Sequence, residues 1–326
     1  MINWGIIGCG NVTEVKSGPA FSKVPGSRLV AVMRRDAALA EDFARRHNVP
    51  KYYSDASRLI NDPEINAVYI ATPPSSHLEY ALKVLKAGKP VYIEKPMALN
   101  YRECEKINKA SSRSGNPVFV AYYRRTLPGF LKVKELIETG VIGKPLFIRI
   151  ELFKSPSEDE KQGRLSWRVD PRISGGGHFF DLASHQLDYL DYVFGPVRKV
   201  SGVALNHAGL YKAEDFVSAD LLFDNQVACS GTWSFGVSQL SGRDSIEITG
   251  EKGFIKFSSF NFENIIVENS EGRWEFINER PEHVQYYLID QIVRSLNGGS
   301  IPVSTGITAS RTSRVMDEIV KEYYKK

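Results

Sequence analysis

Over the first third of the chain, short apolar runs alternate with longer stretches of helical periodicity, the alternation that parallel strands joined by crossover helices require. The runs fall at residues 3–7, 28–33, 67–70, 91–93 and 118–121, with helices expected at 37–47, 77–87 and 101–114. Gly88-Lys89-Pro90 and Gly115-Asn116-Pro117 each stop a helix immediately before an apolar run. The pattern predicts a doubly wound parallel α/β sheet, assigned to a domain over residues 1–122.

Beyond Tyr123 the rhythm changes. A helix at 128–139 is followed by segments of period-two character at 146–153, 197–206, 216–223, 227–235, 245–249 and 254–258. Short turns at Asp224-Asn225 and Glu251-Lys252-Gly253 join several of them, so a second, α+β domain over residues 123–326 is expected, with an open, mostly antiparallel sheet. One face of that sheet needs cover from helices or another subunit. Helices at 284–296 and 307–324 close the chain.

Composition narrows the function. At 326 residues the chain is long enough for two domains, and 42% hydrophobic with 25% charged residues is ordinary for a globular protein. A net charge of +4, from 42 basic against 38 acidic residues, offers no phosphate-tracking stripe, so no nucleic-acid partner is expected and anion attraction should be local. No run approaches the roughly 18 apolar residues that span a bilayer, and Met1 to Ile7 lack the pattern of a secretory leader. Cys9, Cys104 and Cys229 are far apart and odd in number, which argues against a disulfide framework or zinc site. A cytoplasmic protein without a metal is the expectation.

Directly after the first run comes Gly8-Cys9-Gly10-Asn11-Val12-Thr13, with Thr13 at the third glycine position of a dinucleotide-binding turn. Glycine lets the backbone approach a diphosphate, and the helix that follows attracts its charge. At the end of the second run, where a carboxylate would select NAD by holding the ribose 2′-hydroxyl, stand Arg34 and Arg35, followed by Asp36. Two guanidinium groups suit a 2′-phosphate, so NADP is preferred over NAD. The competing reading is a solvated pair at a strand end.

Two further segments lie where open parallel sheets place ligands, outside the carboxyl ends of strands. Ala71-Thr72-Pro73-Pro74-Ser75-Ser76-His77 can form an extended shelf beside a cofactor, and in Glu94-Lys95-Pro96 the lysine can donate to a substrate oxygen. A third segment, Ser174-Gly175-Gly176-Gly177-His178-Phe179-Phe180-Asp181-Leu182-Ala183-Ser184-His185, starts a helix whose glycines would allow it close to a ligand. Asp181 and His185 share a helical face, and His178 can join them. Acid-base chemistry, a surface ion pair and a metal site compete for this triplet. The presence of a cofactor turn and Lys95 favours acid-base chemistry, because hydride transfer needs no metal when a lysine and a histidine handle the oxygen and its proton.

Taken with Ala121-Tyr122-Tyr123-Arg124-Arg125, these motifs resemble, in order and spacing, the glucose-fructose oxidoreductase, inositol dehydrogenase and rhizopine catabolism (Gfo/Idh/MocA) family across essentially the whole chain. The resemblance implies a Rossmann domain followed by a substrate-binding and oligomerisation domain, with the active site in the cleft between them. It also implies Lys95 as the residue that binds the reacting oxygen and contacts the nicotinamide ribose, His185 as acid-base residue and Asp181 as its partner in substrate binding. Cofactor contacts then fall at Gly8, Gly10, Asn11, Val12, Arg34, Arg35, Thr72, Pro73, His77, Glu94 and Lys95. Tyr123, Arg124, Trp167, Arg168 and His178 fall in pocket-lining stretches; core packing for Trp167 and a structural ion pair for Arg168 are equal alternatives. Family members commonly pair through the large sheet, so a homodimer or homotetramer is expected. The reaction implied is hydride transfer between nicotinamide and a carbonyl or secondary alcohol of a sugar, polyol or cyclitol. A glycosidase using transient ring oxidation and a non-catalytic cofactor sensor are the alternatives.

Overall fold

The computed structural model describes residues 1–325, which form two compact units: Met1–Tyr123 with Pro281–Ser310, and Arg124–Arg280 with the residues from Arg311 onward. In the first unit, β1 (Ile2–Ile7), β2 (Ser27–Met33), β3 (Lys51–Tyr53), β4 (Ala67–Ile70), β5 (Val91–Ile93) and β6 (Val118–Val120) pair in the order β3-β2-β1-β4-β5-β6, all parallel. Ile6, Ile7, Val68, Ile70, Val91 and Ile93 are fully buried, which explains their near-continuous apolar character: helices cover both faces of a parallel sheet. The helices Ala37–Arg46 and Tyr101–Ser114 begin where Asp36 and Asn100 accept the backbone N–H of Leu39 and Glu103, and the second ends at Gly115 in the left-handed region.

The register sets up the site. Met33 pairs with Ile7, Ile7 with Ile70, Ile70 with Ile93 and Ile93 with Val120, so these five strand ends form one row. The residues just past them, Arg34, Gly8, Ala71, Glu94 and Ala121, therefore lie along one edge of the sheet.

Sequence reading runs the second domain unbroken from 123 to 326, but residues 281–310 return to the first unit. Ser304 donates to Val120 O, Thr305 bridges Phe119, and Gln285 reaches both Tyr92 and Glu94. The cause is satisfaction of edge and buried polar groups over long sequence separation.

In the second unit, β7 (Pro145–Phe153), β8 (Val197–Leu205), β9 (Phe216–Phe223), β10 (Ala228–Ser234), β11 (Arg243–Gly250), β12 (Gly253–Phe257), β13 (Ile265–Asn269) and β14 (Gly272–Phe276) pair in the order β14-β13-β12-β11-β7-β10-β9-β8. Only β7 and β10 run parallel among these pairs. One face buries Ile148, Ile150, Leu152, Ile246 and Ile248. The helix Ser184–Phe194 packs on that side, with Tyr189 edge-on to Phe257 and Gln186 accepting from Trp233 Nε1. On the opposite face Phe147, Val203 and Leu205 are exposed. Beneath the helix, Arg125 forks onto Asp188 at 2.7 Å through two nitrogens, and Arg311 holds Asp191. Burial pushes the Asp188 carboxyl up, to about 6, although the Arg125 charge opposes the shift. Among the described residues no helix is long and apolar enough to cross a membrane.

Candidate active site

At the carboxyl edge of the first sheet, the glycine turn leaves β1 with Gly8 at φ +93, where a side chain is strained. A Cβ there would also meet Thr72 Cγ2 at 2.7 Å. At Gly10 the nearest atom to an added Cβ is Gly8 O, at 4.0 Å, so the backbone faces open space. Asn11 is exposed, Val12 half-buried, and Thr13 is buried with its hydroxyl donating to Gly10 O at 2.7 Å. The short helices Asn11–Val15 and Gly18–Lys23 follow. A cradle closed below by Thr72 and open above Gly10 fits a diphosphate. Arg34 and Arg35 are exposed beside it; Arg34 Nη1 lies 3.4 Å from Cys9 O, while Asp36 caps the next helix.

Lys95, half-buried, follows Glu94, whose carboxylate is almost fully buried. Glu94 Oε1 accepts from Tyr69 Oη at 2.5 Å and Gln285 Nε2 at 2.6 Å, and Oε2 accepts from the Lys95 N–H at 3.1 Å. Three donors thus fix the backbone from which the lysine projects. Thr72 and Pro73 are half-buried along the same edge. His77 differs from its expected role. Its side chain is 0% exposed and lies between Thr72 O at 2.7 Å and Pro96 O at 3.0 Å. No surface is left to touch a cofactor; the ring ties the shelf after β4 to the turn after β5. Burial pushes its pKa down.

The second unit holds the other candidates. Asp181 lies in a π-helical turn, Phe179–Ala183, that runs directly into the helix carrying His185. Such wide turns recur at functional sites. Asp181 Oδ2 lies 3.4 Å from Arg168 Nε, and the Arg168 guanidinium sits 4.5 Å from the Trp167 ring. His185 is 4% exposed, with its ring edge-on to Phe260 at 6.2 Å. Arg124, nearly buried, stacks on the same phenyl ring at 4.4 Å and donates to Ser259 O. Tyr123 is buried at the end of the first unit's Met1–Tyr123 segment.

His178 does not join the Asp181 and His185 cluster through the contacts it makes: its Nε2 pairs with Glu160 at 2.6 Å, and its ring packs against Tyr211 and Phe235. The glycine run also has another purpose than expected. A Cβ at Gly176 would strike the Phe180 ring at 2.1 Å, and one at Gly177 would strike Glu214 O at 2.4 Å. The space is filled by the protein itself. Glu214, fully buried, accepts from Gly177 N–H at 2.8 Å and from Tyr324 Oη. Burial raises its carboxyl to about 7. Sequence reasoning missed Phe260, Gln285 and Glu214, each placed by contacts distant in sequence; no periodicity marks them.

Two family models match. That of the oxidoreductase family, NAD-binding Rossmann fold, covers residues 2–122, and the GFO/IDH/MocA C-terminal domain covers residues 130–256. An oxidoreductase of Formosa agariphila is 45% identical over 294 residues, 90% of each chain. The scyllo-inositol 2-dehydrogenase (NAD(+)) of Bacillus subtilis is 25% identical over 317 residues, 95% of this chain and 90% of that one. A solved oxidoreductase of Thermotoga maritima superposes with a TM-score of 0.86 at 26% identity, covering 98% and 96% of the two chains.

Proposed function

Because this chain belongs to the GFO/IDH/MocA family of NAD-binding oxidoreductases, we propose that it interconverts a secondary alcohol and a ketone on a sugar, cyclitol or related small molecule, with NADP preferred. The observation that carries this reading is the row of strand ends, in which Lys95 is held by a thrice-bonded Glu94 on the same edge as the open Gly10 backbone. The nicotinamide, when bound, supplies or accepts the hydride.

The chain's own residues do the rest. Gly8, Gly10, Asn11 and Val12 hold the diphosphate; Arg34 and Arg35 take the 2′-phosphate. Lys95 donates to the reacting oxygen and stabilises negative charge on it. His185 exchanges the hydroxyl proton, and Asp181, steadied by Arg168, binds a neighbouring substrate hydroxyl. Similarity to a scyllo-inositol dehydrogenase supports the polyol class. The exposed Phe147, Val203 and Leu205 support pairing of two sheets into a dimer, for which light scattering should report twice the chain mass.

The test is a panel of sugars, inositols and keto-sugars with both cofactors, followed by absorbance of the reduced nicotinamide. Lys95→Ala and His185→Ala should each lower kcat by about 10²-fold to 10⁴-fold with unchanged circular dichroism. Near-normal turnover in either variant would sink the assignment.

A further inference from the structure

From the second unit we infer that a basic recess next to the Phe260 ring binds an anionic substituent of the substrate, making acidic sugars or polyols, carboxylated or sulfated, the preferred class. This rests on the oxidoreductase reading above and narrows its substrate.

The recess, about 500 Å³, opens at the ends of β7, β11 and β12, where Phe153, Lys154, Arg243, Asp244, Lys256 and Glu263 line it. Lys154, Arg243 and Lys256 are exposed, and none has an ion-pair partner among the described residues. The two carboxylates do not cancel them. Asp244, 8% exposed, is taken up by three backbone N–H groups, those of Ser259, Phe260 and Asn261, at 2.6 to 3.0 Å. Those amides turn the Asp244 oxygens away from the cations without removing its charge, so with Glu263 the lining carries two carboxylates against three cations, one positive charge in excess. Three cations without an ion-pair partner among the described residues, around a cavity of this size, suit a carboxylate or sulfate, whose oxygens accept several charge-assisted hydrogen bonds at once.

The recess connects to the proposed chemistry through Phe260. Its ring centroid lies 6.2 Å from the His185 ring and 5.7 Å from Lys154 Nζ, so the imidazole and the ammonium border on the same phenyl ring. The ring is fixed: Asp244 holds its backbone, and Gln186, on the helix that carries His185, donates to Ser259 Oγ at 2.9 Å. A ligand with a hydroxyl carbon at His185 and a charged group at Lys154 needs to span little more than one sugar ring. The overall charge of +4 predicts no broad anion attraction, and the recess makes it local.

The experiment uses the full chain with saturating cofactor and matched substrates: D-glucuronate and D-glucose 6-sulfate against D-glucose, and D-galacturonate against D-galactose. Expected is a kcat/KM ratio of at least about ten-fold in favour of an anionic member, the scale of one charge-assisted hydrogen bond, expressed mainly in KM. The carboxylate and sulfate arms tell the two anions apart. The ratio should fall towards one in Lys154→Gln/Lys256→Gln and in high salt, and reverse in Lys154→Glu. Neutral sugars used as well as anionic ones, or a ratio that survives the double variant, would overturn the anion site while leaving the oxidoreductase reading intact. Calorimetric titration with D-glucuronate and with D-glucose 6-sulfate reads the site without turnover. Saturable binding lost in the double variant supports the recess even if no hydride moves, the result that would count against the oxidoreductase reading alone; no binding, or equal binding by both proteins, overturns it.

Discussion

Two glycine turns, Gly8-Cys9-Gly10 and Gly175-Gly176-Gly177, look alike as text and differ in what occupies the space their missing side chains leave. At Gly10 that space is open, and the backbone there is extended, so nothing in the fold itself asks for a residue without a side chain, and the proposed cofactor supplies the reason. At Gly176 and Gly177 it is filled by Phe180 and the Glu214 backbone, so those residues are small for the sake of the fold. Gly8 combines both demands, with a left-handed φ and Thr72 against it. A glycine's meaning is set by its neighbours in space.

The contrast can be broken most directly at Gly10. Gly10→Ala should leave thermal stability unchanged while raising the KM for cofactor by about a hundred-fold, since a methyl group displaces the diphosphate. Normal cofactor affinity would erase the distinction. Gly177→Ala should do the opposite first: urea titration should show a loss of about 1 to 3 kcal/mol from overpacking against Glu214 O, with cofactor binding retained.

Glu214 sharpens the same side of the comparison. Its carboxyl is raised from an ordinary 4.5 to about 7, so the native state favours the protonated form. Its contribution to stability is fully present below about 4.5 and is lost as pH rises through about 7. Glu214→Gln, whose amide oxygen still accepts from the Gly177 N–H and which carries no ionisable group, should be more stable than wild type at pH 8 by a margin on the order of 2 kcal/mol. The two should converge at pH 4.5; a constant difference would show that the carboxyl does not titrate in this range. The smallest effect concerns Arg34 and Arg35. Replacing both by Ser should lower the NADP to NAD preference by about ten-fold in kcat/KM, one charge-assisted bond's worth. An unchanged ratio would mark them as solvated charges.

Much of the fold is legible because parallel strands buried on both faces leave unmistakable apolar runs, as at residues 91–93 and 118–121, with Gly-x-Pro punctuation before them. The three-residue β3 is too short to show a period, and Gly272–Phe276 is exposed at nearly every position, so β14 carries no alternation to read. In the candidate site, the residues after strand ends could be found since topology puts them on one edge. His77, His178 and the glycine run share one difficulty: polar and small residues look functional in sequence, and only their partners, Thr72 and Pro96, Glu160, Phe180 and Glu214, show what else they satisfy. Gln285 stands 191 positions from Glu94, beyond any local pattern.

That separation bears on how the chain is made. A nascent polypeptide that has emerged only as far as β6 already holds every strand of the first sheet, yet Glu94 lacks its Gln285 donor and Val120 lacks Ser304. The nucleotide-binding half is therefore completed only when residues 281–310 have emerged, long after its last strand. A fragment ending near residue 122 should express as a soft, protease-sensitive species, and supplying residues 281–310 in trans should harden it.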